Sequence, residues 1–351
     1  MRGIPVAPYY YGYTLEAVMN NPEQPYTQPL GLDVGTSRIV AARMKGSRQE
    51  FETELNAFLT LPYSKLAESL LKRENVFHEV DGPEIIVAGN DAERFAEVFH
   101  VETRRPMANG VLNPGEARSL AVVRRIAAKL LGPAAEPGQK VFFSIPAKGA
   151  GIDGAIRYHE ASIQQMLRDL GYQPTPIEEG LAVVYGELAE SNFSGLGISC
   201  GSGLCNICLA VLSVPVISFS VAKAGDFIDA SAAEVTGDRA NRLRVTKERG
   251  FQLNGFSGDR VHNALTVYYH EMIANLIASL RAELASAPRL PKIEQSVPLV
   301  LSGGSAMPKG FLDQFQRVLR DADFPLKLSE IRVAEDALHS TARGALMAAL
   351  C

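Results

Sequence analysis

The sequence has few cysteines, no excess of basic residues and no long apolar stretch. Its four cysteines lack the paired spacing of a secreted disulfide framework, which excludes that class of protein. The 35 Lys and Arg residues are outnumbered by 39 Asp and Glu residues, and the net charge of -4 argues against a nucleic-acid partner. No segment reaches the length of a membrane span and no apolar signal core opens the chain, so we expect a cytoplasmic protein.

Several familiar site signatures are missing as well. There is no G-x-x-x-x-G-K-[ST] phosphate loop, no complete G-x-G-x-x-G fingerprint, no H-E-x-x-H zinc helix and no G-x-S-x-G nucleophile elbow. Cys200, Cys205 and Cys208 are too few for a four-ligand structural zinc site, so we interpret them as small apolar residues of a buried hairpin. The apolar segment 57–63 is explained better by core packing than by membrane attachment, which the sequence leaves open.

The residues that are present predict two domains behind a polar tail. A length of 351 residues with 46% hydrophobic residues is enough for a large core. Residues 1–28 carry prolines and tyrosines without a period, which predicts a flexible Tyr/Pro-rich tail or a partner-binding arm. From residue 29 onward strands and helices alternate, and apolar spacing predicts helices at 118–131, 261–285 and 337–350.

Two glycine-rich hairpins resemble each other. The segment LGLDVGT at 30–36 aligns with LGISCGS at 196–202, an offset of 199 − 33 = 166 residues. This weak duplication predicts two related α/β halves, with a ligand where the hairpin tips converge. Asp33, at the end of a buried strand, can hold Mg²⁺, and the following turn exposes N–H groups that can cradle phosphate. Taken alone, the motif also fits a plain β-hairpin with aspartate in its turn.

A series of short motifs follows in a set order along the chain. They are LGLDVGTS at 30–37, RPMANGV at 105–111, IPA at 145–147, EEGLA at 178–182, GISCGSGLCN at 197–206, KAGDFID at 223–229, KE at 247–248 and LSGGSAMPKGF at 301–311. Together these motifs resemble the actin superfamily, in particular bacterial actin-like proteins of the MreB and MamK type, over about residues 29–350.

The resemblance implies an α/β actin-like ATPase fold, in which two related α/β domains flank a nucleotide cleft. Domain I would comprise residues 29–190 and 335–351, with a small inserted subdomain at about 55–105. Domain II would comprise residues 191–334.

The resemblance also assigns roles around ATP or ADP and Mg²⁺. Asp33 would organise Mg²⁺, and Glu179 would position the attacking water, although a carboxylate at a helix N-terminus is also favoured by the helix dipole. The phosphates would be bound by Gly35, Thr36, Ser37, Gly201, Ser202 and Gly203. The nucleoside would be bordered by Lys247 and Glu248 and lined by Gly303, Gly304, Ser305 and Met307.

The second phosphate loop departs from the actin-like pattern D-x-G-x-G-T at two positions. Ser199 stands at the aspartate position and Leu204 at the threonine position. Positioning and electrostatics supply most of the catalysis in phosphoryl transfer, and the loss of one such group costs roughly 100- to 1,000-fold in rate. We therefore expect a slow ATPase, or nucleotide binding without turnover.

Two functions of different kinds fit these observations. The first is a nucleotide-binding cytoskeletal protein that polymerises head to tail with copies of itself. The second is a nonpolymerising nucleotide-dependent adaptor that binds a protein partner through residues 1–28. A sugar or acid kinase of the same superfamily is a further alternative, but we identify no substrate-facing general base, and no substrate domain is present for a heat-shock chaperone.

Overall fold

The computed structural model of the protein describes residues 27–149, 151–286 and 295–351. The predicted tail at 1–28 therefore lies outside the described residues, apart from its last two positions. Two five-stranded sheets organise the described chain, and each carries one of the two largest apolar cores. This arrangement confirms the predicted α/β class with two related halves.

The first sheet consists of β1 (Leu30–Val34), β2 (Arg38–Lys45), β3 (Arg48–Leu55), β9 (Gln139–Ile145) and β10 (Tyr172–Glu178). The strand order is β10-β9-β1-β2-β3. Strands β1, β2 and β3 form an antiparallel arm, whereas β9 and β10 run parallel to β1. The central strand β1 is buried because its residues pack on both faces of the sheet.

The second sheet repeats this topology. It consists of β11 (Gly195–Cys200), β12 (Cys205–Val211), β13 (Val214–Val221), β14 (Val297–Ser302) and β15 (Leu328–Val333). The order is β13-β12-β11-β14-β15, with an antiparallel arm from β11 to β13 and two parallel strands on the other side of β11.

The two hairpins also share their register. Gly31 pairs with Ala42 in the first hairpin, and Gly197 pairs with Cys208 in the second. Both members of the pair are therefore shifted by the same number, 197 − 31 = 208 − 42 = 166 residues. The ladder keeps this offset to the last pair before each turn, so the weak duplication in the sequence is a duplication of backbone structure.

A small third sheet is inserted after the first hairpin. It contains β4 (Phe58–Pro62), β5 (His78–Asp81) and β6 (Glu84–Ala88), in the order β4-β6-β5, together with helices α1 (Lys65–Arg73) and α2 (Asn90–Phe99). Phe58, Leu59 and Leu61 are buried, which confirms that the apolar segment 57–63 packs in a core. A two-stranded ribbon follows, with β7 (Met107–Ala108) and β8 (Val111–Leu112).

The remaining helices cover the sheets or lie between them. They are α3 (Ser119–Leu131), α4 (Asp153–Asp169), α5 (Glu179–Glu187), α6 (Gly225–Thr236), α7 (Ala240–Glu248), α8 (Arg260–Ser286), α9 (Phe311–Asp321) and α10 (Ser340–Leu350). The predicted closing helix begins at Ser340 rather than 337, because the preceding residues form a turn in which His339 N–H donates to the Asp336 carbonyl. Within the described residues, no helix is long and apolar enough to cross a membrane.

Helices α5 and α10 cross in very close contact between the two sheets. A Cβ on Gly344 of α10 would overlap the carbonyl oxygen of Ala182 in α5, and a Cβ on Gly186 would lie 2.7 Å from the Ser340 carbonyl. Helix α10 packs on β1, and α5 packs on β11. The absence of these side chains therefore brings the two central strands close enough for both hairpins to border one cavity.

Candidate functional site

A cavity of about 450 Å³ lies where the two hairpins, α5, α7, the turn after β14 and the start of α10 meet. Its size lies in the range of small-molecule sites, about 300–1,000 Å³. The tertiary structure brings every predicted site residue to its lining: Asp33, Gly35, Thr36, Ser37, Glu179, Gly201, Ser202, Gly203, Lys247, Glu248, Gly303, Gly304, Ser305 and Met307. Residues from five separate motifs thus share one site, while their individual roles remain predictions.

The end of β1 holds Asp33 in a prepared position. The hydroxyl of Ser144, from the parallel strand β9, donates to Asp33 Oδ1 over 2.7 Å and accepts the N–H of Val34 over 2.9 Å. The side-chain amide of Asn56 donates to the Gly35 carbonyl over 2.8 Å. Buried side chains on both sides of the turn therefore fix its shape.

Glu179 lies opposite Asp33, at the first position of α5. The Ser199 hydroxyl donates to Glu179 Oε2 over 3.0 Å. Ser199 thus takes the strand-end position that corresponds to Asp33, but contributes a neutral hydrogen-bond donor instead of a second carboxylate.

Burial and mutual repulsion perturb the two carboxyl groups. Burial raises the pKa of Asp33 to about 6, although the Ser144 hydrogen bond acts in the opposite direction. Burial and the charge of Asp33 raise the pKa of Glu179 to about 8, with the hydrogen bond from Ser199 partly offsetting this rise. The pair therefore favours one negative charge over two near neutral pH, and a cation between them would reverse that preference.

The two hairpin tips offer backbone donors to the cavity. In the described residues, no hydrogen bond uses the N–H groups of Thr36, Ser37, Ser202 or Gly203 as donors. The hydroxyl oxygen of Ser202 is buried and has no partner among these residues. Consecutive free N–H groups in a turn form a concavity that binds anions.

Both hairpin tips also lie next to Gly110 of the first half. Thr36 Oγ1 accepts the N–H of Gly110 over 3.1 Å, and a Cβ on Gly203 would lie 2.4 Å from that same nitrogen. The second tip therefore reaches the first half of the molecule because residue 203 has no side chain.

Leu204 stands where the actin-like pattern has threonine. Its side chain is 3% exposed and lies against Gly110 of the first half. An apolar contact between the halves thus occupies the position at which the pattern has a hydroxyl.

The turn after β14 is tied to the second hairpin. Gly303 has φ 86°, and a Cβ there would lie 2.4 Å from the Cys200 carbonyl oxygen. The Ser305 hydroxyl donates to the Gly201 carbonyl over 2.8 Å. Gly304 faces open space apart from Leu338, and the Met307 side chain is half-exposed at the cavity mouth.

Lys247 and Glu248 both reach the cavity from α7, but only Glu248 keeps solvent exposure. The Lys247 ammonium contacts Asp229 Oδ1 over 2.8 Å and donates to the Gly225 carbonyl over 3.1 Å, and both charged side chains are buried. Its charge is therefore neutralised inside the second half. Glu248 accepts from Arg38 over 3.1 Å across the cavity.

Several residues that support the site were not identified from the sequence. Asn206 accepts the N–H of Ala147 over 2.9 Å, and Arg244 lies one helical turn before Lys247 in the cavity lining. Asn206 belongs to a recognised motif and Arg244 shares a helix face with a predicted residue, so both had a usable signal. Ser144 and Asn56 had none, because only the fold brings them beside the first hairpin.

The metal-ligand chemistry of the described residues is limited. No group of three or more His, Cys, Asp or Glu side chains among them is arranged to hold a metal ion. Cys200 and Cys205 lie opposite each other in the strand ladder of the second hairpin, and both are free thiols buried with Cys208, in agreement with an apolar role. A site built on Asp33 suits Mg²⁺, which uses one or two carboxylates together with waters and phosphate oxygens.

Solved structures with the same fold come from actin-like proteins. The chain is similar to the MamK double helical filament, with a TM-score of 0.69 and 20% identity over 92% of this chain and 98% of that one. It is similar to MreB 5 of Spiroplasma citri bound to AMPPNP, with a TM-score of 0.66 and 13% identity over 91% and 95%. A non-polymerising MamK mutant bound to AMPPNP gives 0.56 and 21% over 92% and 98%.

These similarities confirm the actin-like fold that the motifs predicted. No curated protein matches the chain by sequence. A family model does match, over residues 29–349, which includes both hairpins, the inserted sheet and every residue of the candidate site. The chain belongs to the Volactin family.

Proposed function

We propose that this protein binds an adenine nucleotide with Mg²⁺ in the cavity between its halves and assembles head to tail into cytoplasmic filaments. The observation that carries the nucleotide proposal is the convergence of two duplicated hairpin tips, each with free backbone N–H groups, on one cavity. Such turns bind phosphate oxygens without any need for basic side chains. The proposed domain division, 29–190 with 335–351 against 191–334, places one tip in each domain.

The phosphates would lie between the tips, and the nucleoside would extend toward α7. The N–H groups of Thr36, Ser37, Ser202 and Gly203 would donate to phosphate oxygens. The nucleoside would lie against Gly304 and Met307 on one side and Glu248 on the other. AMPPNP in two of the similar solved structures supports this type of ligand.

Asp33 would hold Mg²⁺, directly or through water. The fit rests on the buried, mutually repelling carboxyl groups of Asp33 and Glu179, since a divalent cation relieves that repulsion. The bound ion would neutralise charge on the phosphates and on the leaving group. Among the protein's own groups, Asp33 is held in place by Ser144, and Glu179 can accept a proton from an attacking water once it is ionised.

Hydrolysis would be slow. Ser199 supplies a hydrogen bond to Glu179 but no negative charge for the ion or the water. In the ligand-free protein the pKa of Glu179 is about 8, so this group would have to be ionised by the bound cation before it could act as a base near neutral pH.

Filament assembly is proposed because the MamK filament and MreB 5 share the fold over almost the whole described chain. The partner would be a second copy of the chain in a heterologous contact.

Two measurements on purified protein test the proposal. A fluorescent ADP titration should show saturable, Mg²⁺-dependent binding, and negative-stain microscopy with pelleting should show filaments that depend on the nucleotide. Gly304→Val should abolish binding. Among the described residues, a Cβ at position 304 would meet only Leu338, at 3.6 Å, so a larger side chain would extend into the cavity. Gly258→Val is the matched control, since a Cβ there meets nothing within 4 Å and the residue lies outside the cavity lining.

The adaptor remains a second candidate because of Ser199 and Leu204, which weaken the catalytic pattern but leave the glycines that bind phosphate. Nucleotide binding without filaments in any nucleotide state would favour it. A partner captured by the full chain, and lost on deletion of residues 1–28, would support the predicted arm.

A further inference from the structure

Four charged side chains form an unbroken chain across the mouth of the cavity. Arg244 Nη2 donates to Glu93 Oε1 over 2.6 Å, and Nη1 donates to both carboxylate oxygens of Glu248 over 3.3 Å. Glu248 Oε2 in turn accepts from Arg38 Nη2 over 3.1 Å. We call these four residues, Glu93, Arg244, Glu248 and Arg38, the charge strap.

The charge strap joins the two halves at both of its ends. Arg244 and Glu248 lie four residues apart on α7, a helix of the second half that packs against α6. Glu93 belongs to α2 beside the inserted sheet, and Arg38 opens β2 of the first hairpin. Helix α7 is therefore fastened to the first half of the molecule twice, once through Arg244 and once through Glu248.

Arg244 is the centre of the charge strap and is unusually well buried. Its side chain is 10% exposed, whereas those of Glu93, Glu248 and Arg38 are 37%, 35% and 31% exposed. Desolvation alone would lower its pKa, but the charges of Glu248 and Glu93 raise it. A buried guanidinium that loses its carboxylate partners is strongly disfavoured. Opening the mouth of the cavity would therefore cost free energy, because it would separate Arg244 from Glu93.

Three members of the charge strap also border the cavity. Arg244, Glu248 and Arg38 all belong to its lining. Glu248 is also one of the residues proposed to border the nucleoside. The nucleoside end of a bound nucleotide would therefore lie beneath the charge strap.

We propose that the charge strap closes the nucleoside end of the cavity and that Arg244, its positioning residue, sets how slowly nucleotide leaves. The inference rests on the proposed nucleotide function for its kinetic consequence, but the closure itself does not require a ligand. Since both anchors are partly buried, they are screened by salt less than surface pairs and hold α7 against the first half.

Another ion pair across the same cleft provides a comparison. Arg239 donates to Glu102 over 2.6 Å, but the two side chains are 79% and 68% exposed. Such exposed pairs contribute little, because water screens the charges and both side chains lose conformational freedom. The structure thus offers a strong and a weak connection between the same two parts of the molecule.

The kinetic experiment measures release of fluorescent ADP in the presence of Mg²⁺ and excess unlabelled ADP. Glu93→Gln removes one anchor of α7 without touching the cavity lining, and we expect release to be roughly 5- to 30-fold faster. Asp91→Asn is the matched control on the same turn of α2, because the ion pair that Asp91 makes within the described residues is to Arg94 of the same helix, at 3.8 Å. Arg239→Gln should change release less than about 2-fold.

Hydrogen exchange of the nucleotide-free protein tests closure separately. The amides of residues 240–248 should exchange faster in Glu93→Gln than in wild type, and at the wild-type rate in Asp91→Asn and Arg239→Gln. Unchanged exchange and unchanged ADP release in Glu93→Gln would overturn the inference. If wild type fails to bind ADP, the proposed function fails, and the exchange data still decide whether the charge strap closes the cavity.

Discussion

The two hairpins that border the cavity have the same backbone and different chemistry. Both are closed by the same turn bond, from Gly35 N–H to the Arg38 carbonyl and from Gly201 N–H to the Leu204 carbonyl, each 3.0 Å long. At the strand end, however, the first has Asp33 and the second has Ser199. A duplicated backbone therefore fixes where a group is presented to the cavity, but leaves open which group is presented.

Because of this difference, the two hairpins are suited to different contacts. The first carries a buried carboxylate that Ser144 orients, which suits cation binding. The second carries no charge at its tip and instead contacts the other half of the molecule through Gly203 and Leu204. On the proposed function, the first hairpin would hold the ion, and the second would contact phosphate and the other half of the molecule.

Restoring the symmetry at the strand ends should have the largest effect. Ser199→Asp supplies the second carboxylate, and we expect ATP turnover to rise by roughly 100- to 1,000-fold, because preorganised charge is usually the largest catalytic contribution. Phosphate release under saturating ATP and Mg²⁺ measures it. Ser199→Asn is the matched control, with similar size and no charge, and should keep the wild-type rate. An equal rise in both variants would contradict the assignment of the effect to charge.

Adding a side chain to the second hairpin tip, which makes it more like the first, should lower the free energy of unfolding. Gly203→Ala places a Cβ 2.4 Å from the Gly110 nitrogen, and backbone cannot move aside as a flexible side chain can. We expect the free energy of unfolding to fall by about 3 kcal/mol, at the upper end for overpacking. Denaturant unfolding measures the loss. Gly258→Ala, where a Cβ meets nothing, should be neutral or slightly stabilising; an equal loss there would show that the tips are not in contact.

Replacing Leu204 by the threonine of the actin-like pattern should have a somewhat smaller effect. Leu204→Thr removes an apolar contact with Gly110 and buries a hydroxyl. We expect a loss of about 2 kcal/mol in the free energy of unfolding. Val214→Thr, at the exposed first residue of β13, should stay within about 0.5 kcal/mol. A similar cost at the two positions would rule out a packing role for Leu204.

The smallest effect concerns the pH dependence of stability in the nucleotide-free protein. Glu179 has its pKa raised from 4.5 to about 8, so the folded state keeps a proton that the unfolded state has lost between these values. Stability therefore falls as pH rises through this window. Glu179→Gln removes that loss, and its free energy of unfolding relative to wild type should increase by at least about 1 kcal/mol from about pH 5 to about pH 8.

The control for this measurement is the exposed carboxylate Glu190, on the loop before the second hairpin. Glu190→Gln should leave the pH profile of stability unchanged. A Glu179→Gln profile parallel to wild type over the same range would mean that Glu179 is not buried as a neutral acid.

The sequence was sufficient for the fold because its motifs depend on local geometry. The glycine turns at 35–37 and 201–203 favour hairpins locally, and the 166-residue offset between the two sequence segments is also the offset between their strand registers. The 27-residue helix α8 was predicted within one residue at each end, because its apolar stripe is continuous. The inserted sheet gave little signal of its own, since its short strands and helices do not sustain a period.

For the site, the sequence named residues that belong to motifs, and the structure supplied those that act across the chain. Ser144 and Asn56 carry no signal of their own, and the Arg244 contact to Glu93 joins residues 151 positions apart. Lys247 lies in the cavity lining, but only the structure pairs its ammonium with Asp229. Sequence by itself determined the two duplicated hairpins and their glycines, because local backbone geometry requires them. Tertiary structure alone decided the carboxyl pKa values, the contact at Leu204 and the charge strap, because burial and charge pairing exist only once the halves meet.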